Sequence, residues 1–173
     1  MAILEILEYP NPLLKKKSSK VEKIDDNLRQ VLMDMLETMY DDAGVGLAAP
    51  QVGILKRMIV IDVEQDREEG IPDNPLFLIN PEIVWKSEET EISEEGCLSV
   101  PGMRAEVERF YKIVVRYLDE HGEQKELEAE GFFARALQHE IDHLNGILYI
   151  DRLSRLKRNM LLKKLEKSRE TEE

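Results

Sequence analysis

The sequence predicts one compact domain, spanning 1–173, of mixed helices and strands, and three observations carry that expectation. Strand-like apolar runs gather between residues 54 and 118, helical periodicity brackets them at 25–40 and 128–145, and no internal repeat or second block of composition interrupts the 173 residues. With 42% hydrophobic residues, the chain is long enough to bury a genuine core. A net charge of −12 argues against a general nucleic-acid or anionic-membrane surface. No apolar run approaches membrane-spanning length, and Met1-Ala2-Ile3-Leu4-Glu5 lacks the basic start and apolar core of a signal peptide. A cytoplasmic protein is therefore expected. Its single cysteine, Cys97, has no intramolecular disulfide partner, which fits a reducing compartment.

In chain order, 1–23 holds Tyr9-Pro10-Asn11-Pro12, whose prolines exclude a regular helix or central strand and predict an extended arm laid over the domain. From Asp25, an N-cap, Leu28, Val31, Leu32, Met35, Leu36 and Met39 repeat at helical spacing as far as Tyr40. Next comes Gly44-Val45-Gly46-Leu47-Ala48-Ala49-Pro50-Gln51-Val52-Gly53, with Gln51 its one polar side chain. Such small residues either let another group approach the backbone or simply make a tight helix-to-strand connection, and no Gly-Lys-Ser/Thr follows to make a P-loop. Residues 54–63 read as a strand, 64–75 as an acidic surface loop, and 76–85, 90–93, 104–108 and 113–118 as further strands. Asp119-Glu120-His121-Gly122 reads as a hairpin turn with a solvated histidine. Over 128–145 two stripes, Phe133/Leu137/Ile141/Leu144 and Phe132/Ala136/His139/His143, predict a buried helix that Gly146 stops. Leu153, Leu156, Met160 and Leu161 mark a last helix within 152–173, basic at Arg152, Arg155, Lys157, Arg158, Lys163 and Lys164, fraying into an acidic end.

The chemistry concentrates in Gln138-His139-Glu140-Ile141-Asp142-His143. Histidines four apart share one helix face, so both imidazoles reach one metal ion while Glu140 stands beside it. The bland reading is a charged, solvated turn of helix, but burial among apolar stripes requires partners for these groups, and a metal supplies them. A catalytic site needs a third ligand. Cys97, within Glu94-Glu95-Gly96-Cys97-Leu98-Ser99-Val100-Pro101-Gly102, is alone an ordinary buried cysteine; beside this helix its thiolate is the strongest candidate. A zinc peptidase normally takes its third ligand downstream of the motif, where no histidine lies. A closed structural site lacks a second cysteine, and an inactive binding module would not need Glu140 and Gln51.

Taken together, Gly44-Val45-Gly46-Leu47-Ala48-Ala49-Pro50-Gln51, Glu95-Gly96-Cys97-Leu98-Ser99 and Gln138-His139-Glu140-Ile141-Asp142-His143 closely resemble the peptide deformylase family in order and spacing. The resemblance covers nearly the whole chain and implies an α+β fold, with antiparallel strands packed around a central motif-bearing helix and a C-terminal helix. It also implies metal-dependent removal of the formyl group from N-terminal formylmethionine of new polypeptides. By the same resemblance Cys97, His139 and His143 hold the ion, Glu140 moves the proton, and Gln51 with the Leu98 amide stabilises the oxyanion. Gly46 and Val45 line the substrate, with Arg104 a further contact, and Phe132 and Ala136 help wall the methionine pocket. The ion implied is Fe²⁺, with Zn²⁺, Ni²⁺ or Co²⁺ as alternatives. For the basic last helix, a solvated face balancing the acidic chain stands beside ribosome contact where substrate emerges.

Overall fold

A computed structural model describes residues 2–63 and 74–171. The loop expected over 64–75 thus lies, but for Asn74 and Pro75, outside the described residues. The order is α1 (Asp26–Asp41), β1 (Gly46–Ala48), β2 (Met58–Ile61), β3 (Leu76–Lys86), β4 (Thr90–Cys97), β5 (Val100–Phe110), β6 (Lys112–Leu118), β7 (Gln124–Glu130), α2 (Gly131–Leu144) and α3 (Arg155–Thr171). Short 3₁₀ turns occupy Pro12–Lys15, Ala49–Val52 and Tyr149–Arg152.

Five strands form one sheet in the order β1-β2-β3-β6-β7, every pairing antiparallel, and β4 and β5 form a separate two-stranded sheet. Both faces of the larger sheet are covered, which is why β2 is apolar at every position. Met58 and Val60 pack with Leu32, Met35 and Met39 of α1, while Ile59 and Ile61 pack with Leu137, Ile141 and Leu144 of α2. A third cluster joins Val100 and Val107 of β5 to Tyr149, Ile150, Leu161 and Leu165. The fold is therefore α+β, with the motif helix lying between the sheets and a helix at the C-terminus.

Local chemistry explains the elements. Asp25 accepts from the Leu28 N–H at 2.9 Å and caps α1. The arm is laid over the domain as expected: the Leu7 and Tyr9 N–H groups donate to the Gln51 and Ser99 carbonyls, flanking the small-residue loop and the cysteine turn. Gly146 ends α2 at φ +74°, with the Gly146 and Ile147 amides donating to the His143 and Asp142 carbonyls in a Schellman closure.

Four expectations require correction. Helix α2 begins at Gly131 rather than 128, because 124–130 forms the strand β7, paired from Leu118↔Gln124 to Lys112↔Glu130. Its Glu, Lys and Ala residues favour helix locally, but Leu127 and Ala129 alternate with outward glutamates, and pairing on β6 wins. Residues 46–48 form a strand that the small-residue reading did not resolve, and β2 is confined to four residues. The last helix packs through Leu161 and Leu165, whereas Leu156 and Met160 are 71% and 55% exposed.

Candidate metal centre

Helix α2 carries His139 and His143 one turn apart with ring centroids 5.0 Å from each other. Cys97 ends β4 at a register shift between Gly96 and Cys97, and the two-residue turn Leu98-Ser99 leads into β5. This bulge brings the thiol to the helix: Sγ lies 3.4 Å from His143 Nε2, and the ligand atoms of Cys97, His139 and His143 all fall within 4.8 Å of one another. One thiolate and two imidazoles at that spacing fit a single borderline-soft ion with a position left open.

The remaining ring atoms fit the same reading. His139 Nδ1 meets Glu95 Oε1 at 2.9 Å, which leaves Nε2 for a ligand. Glu140 Oε1 and His143 Nδ1 are buried without a hydrogen-bond partner among the described residues, unusual for polar atoms in a protein interior. Burial pushes the Glu140 carboxyl up to about 7. Burial also drives His143 well below its ordinary value, keeping it neutral as a ligand must be. His139 runs the other way: burial alone would lower it, but hydrogen bonds to Cys97 and Glu95 raise it well above its ordinary value. A divalent ion would compete with the ring proton.

The cluster opens on a cleft of about 600 Å³. Gln51 lines it from the Ala49–Val52 turn: its Oε1 accepts from the Ala48 N–H at 2.9 Å, fixing the amide so that Nε2 points at Cys97 Sγ, 3.6 Å away, and at Ser99 Oγ. A Cβ at Gly46 would lie 2.8 Å from Glu140 Oε2, so the close approach weighed for the small-residue loop is real and its visitor is the carboxylate.

Residues 3–159 match the polypeptide deformylase family. A peptide deformylase of Phenylobacterium zucineum is 54% identical over 167 residues, covering 96% of this chain and 97% of that protein. The chain belongs to the polypeptide deformylase family. Among solved structures, the peptide deformylase from Ehrlichia chaffeensis is similar with a TM-score of 0.91 at 41% identity, covering 99% of each chain. The same enzyme in complex with actinonin gives 0.89 at 43%, covering 97% of this chain and 98% of that one.

The other positions singled out in this deformylase-family sequence also line the cleft. Val45, Gly46, Leu98 and Ala136 do so from β1 and its approach, the cysteine turn and α2. Phe132 stands 59% exposed, so the second stripe of α2 is not buried at its N-terminal end. Arg104 is exposed and paired with Glu94 at 2.6 Å.

Sequence reasoning missed the carboxylate on which the site is built. Glu95 is buried and accepts from Arg109 Nε and a second guanidinium nitrogen at 2.8 and 2.9 Å, from Arg135 at 2.6 Å, and meets His139. Burial alone would raise its pKa, but the bonds from Arg109 and His139 hold it at about 2. Arg109 continues to Asp142 at 2.6 Å, and Arg152 clamps Asp142 from outside at 2.7 and 3.0 Å. The available signal was a Glu two residues before the cysteine, in a strand with a later Arg, but nothing in the sequence pairs Glu95 with residues 109 and 135.

Proposed function

We propose that this chain, as one catalytic domain spanning 1–173, is a metal-dependent amide hydrolase that removes the N-formyl group from N-terminal formylmethionine of newly made polypeptides, releasing formate. The observation that carries the reading is the convergence of the Cys97, His139 and His143 ligand atoms within 4.8 Å, beside the buried Glu140, in a chain of this family. The related Ehrlichia chaffeensis enzyme has been solved with actinonin bound. No described helix is long and apolar enough to cross a membrane, and the lone cysteine supports a reducing, cytoplasmic setting.

Cys97, His139 and His143 would hold one divalent ion, Fe²⁺ by preference with Zn²⁺, Ni²⁺ or Co²⁺ able to replace it. Such an ion supplies the Lewis acidity that acidifies water and polarises the formyl oxygen. Glu140, raised to about 7 by burial, takes the proton of the attacking water and delivers it to the leaving amine. The oxygen that becomes negative is met by Gln51 Nε2, held by the Ala48 contact, and by the Leu98 N–H. Gly46 and Val45 give the peptide an open backbone to lie against, Ala136 and Phe132 wall the methionine side chain, and Arg104 contacts the peptide beyond it.

The test is formate release from a formyl-Met peptide beside its acetyl-Met counterpart. Turnover of the formyl peptide alone is expected; cleavage of both, or of neither with metal loaded, contradicts the assignment. Ribosome contact through α3 belongs to the same reading, supported by exposed Arg155, Lys157, Lys163 and Lys164 in an acidic chain.

A further inference from the structure

Arg152 does not line the metal cleft. It ends the 3₁₀ turn Tyr149–Arg152, and its half-exposed guanidinium forks onto Asp142, with Nε donating to Oδ2 at 3.0 Å and a terminal nitrogen to Oδ1 at 2.7 Å. An exposed ion pair would contribute little, but the Asp142 side chain is only 11% exposed, and Arg152 is the one donor to its Oδ1 among the described residues. Without the fork, a nearly buried carboxylate keeps an oxygen with no partner and must turn to find one.

Asp142 cannot turn alone. Its Oδ2 also accepts from Arg109 at 2.6 Å, and the same guanidinium donates to the two oxygens of Glu95 at 2.8 and 2.9 Å. Arg135 anchors Glu95 at Oε2 alone. The other oxygen, Oε1, takes its place from Arg109 and is the one that meets His139 Nδ1 at 2.9 Å. A chain of contacts, each 3.0 Å or less, thus runs from a C-terminal surface residue through Asp142, Arg109 and Glu95 to the His139 ring, and every link after the first is buried.

We infer that Arg152 is a positioning residue for the metal centre: through Asp142, Arg109 and Glu95 it holds the orientation of the His139 ring, whose Nε2 is left for the ion. The inference rests on the proposed centre of Cys97, His139 and His143. Replacing Arg152 by Gln has two effects of opposite sign. Removing a positive charge near the site would by Coulomb attraction alone slow the loss of a cation, whereas a loosened His139 ring would speed it. Arg158, which pairs with Asp151 at 3.5 Å outside this chain of contacts, supplies the control for charge.

The experiment loads cobalt(II) into metal-free parent, Arg152→Gln and Arg158→Gln, and follows its visible bands before and after addition of excess chelator. Arg152→Gln should release cobalt about ten-fold faster than the parent and show altered bands, a sign of changed ligand geometry that a loss of stability elsewhere in the chain would not produce. Arg158→Gln should match the parent in both. Parental bands with parental or slower release in Arg152→Gln, or the same acceleration in Arg158→Gln, would overturn the inference and leave the metal centre standing. Parent protein that binds no cobalt would overturn the centre itself, and the inference with it.

Discussion

Gly46 carries no side chain because Glu140 occupies the space one would need: a Cβ there would stand 2.8 Å from Oε2 and 3.0 Å from Cγ. Gly46→Ala should therefore displace Glu140, the proposed proton carrier, while leaving the cysteine and histidines in place, so kcat falls about ten-fold or more with metal content unchanged. Metal loss in step with activity would contradict that account. Glu140→Gln tests the proton carrier itself: the amide cannot take a proton, so turnover should drop about 100-fold or more while folding and metal content persist. Near-normal turnover would remove Glu140 from its role. Glu95 governs behaviour in acid. Its carboxyl is held at about 2 against an ordinary 4.5, so its contribution is complete above about pH 4.5 and is lost as pH falls towards 2. That shift corresponds to about 3 kcal/mol at ~1.4 kcal/mol per unit. Metal-free parent protein should lose stability steeply across that window, and Glu95→Gln, weaker above about pH 4.5 and converging on the parent towards pH 2, should show a shallower slope in denaturant titrations. Parallel slopes would exclude Glu95 as the acid-sensitive group.

At the level of elements, legibility followed the range of the interaction. Helix α1 and its Asp25 cap, the Gly146 stop and the hairpin at Asp119-Gly122 rest on contacts a few residues apart, and each was readable. Strand β7 was not, because Glu, Lys and Ala prefer helix until β6 offers a partner, and the alternation of Leu127 and Ala129 spans too few residues to outweigh them. The pairing of His139 with His143 was readable because their spacing is itself local. Glu95 was not, since its arginines sit 14 and 40 residues away and only the fold joins them. Gly146 also receives the arm: a Cβ there would clash with the Lys15 carbonyl oxygen, at a φ of +74°. Gly146→Ala should destabilise the protein by about 2 kcal/mol or more, read as a lowered denaturation midpoint, and an unchanged midpoint would contradict this packing. For α3, deleting the helix would remove Leu161 and Leu165 and uncover the cluster of Val100, Val107, Tyr149 and Ile150, so ribosome contact is better tested by Lys163→Glu with Lys164→Glu on the exposed face. Unchanged salt-dependent association would favour the solvated-face reading.

Across the whole molecule, three packed clusters divide the work, and the motif helix is seated in the first through Ala134, Leu137, Ile141 and Leu144. Sheet, hairpin and C-terminal segment each fix a different part of the site: the five-stranded sheet seats α2, the β4–β5 hairpin presents Cys97 and Glu95, and Arg152 pins Asp142. In the proposed centre a Cys97 thiolate on a ferrous ion would make the site sensitive to oxygen, since air oxidises both. Anaerobically prepared protein should hold iron and lose activity in air, with cobalt or nickel restoring stable turnover to the metal-free chain. Air-stable turnover by protein holding only zinc, equal to the iron form, would overturn the choice of ion. The most direct test of the central claim measures bound metal and formate release together, in anaerobic parent protein and in Cys97→Ala. One ion per chain with formyl-Met turnover in the parent, and loss of both in the variant, is the predicted result. A Cys97→Ala protein that keeps its metal and its turnover would contradict the Cys97, His139, His143 centre.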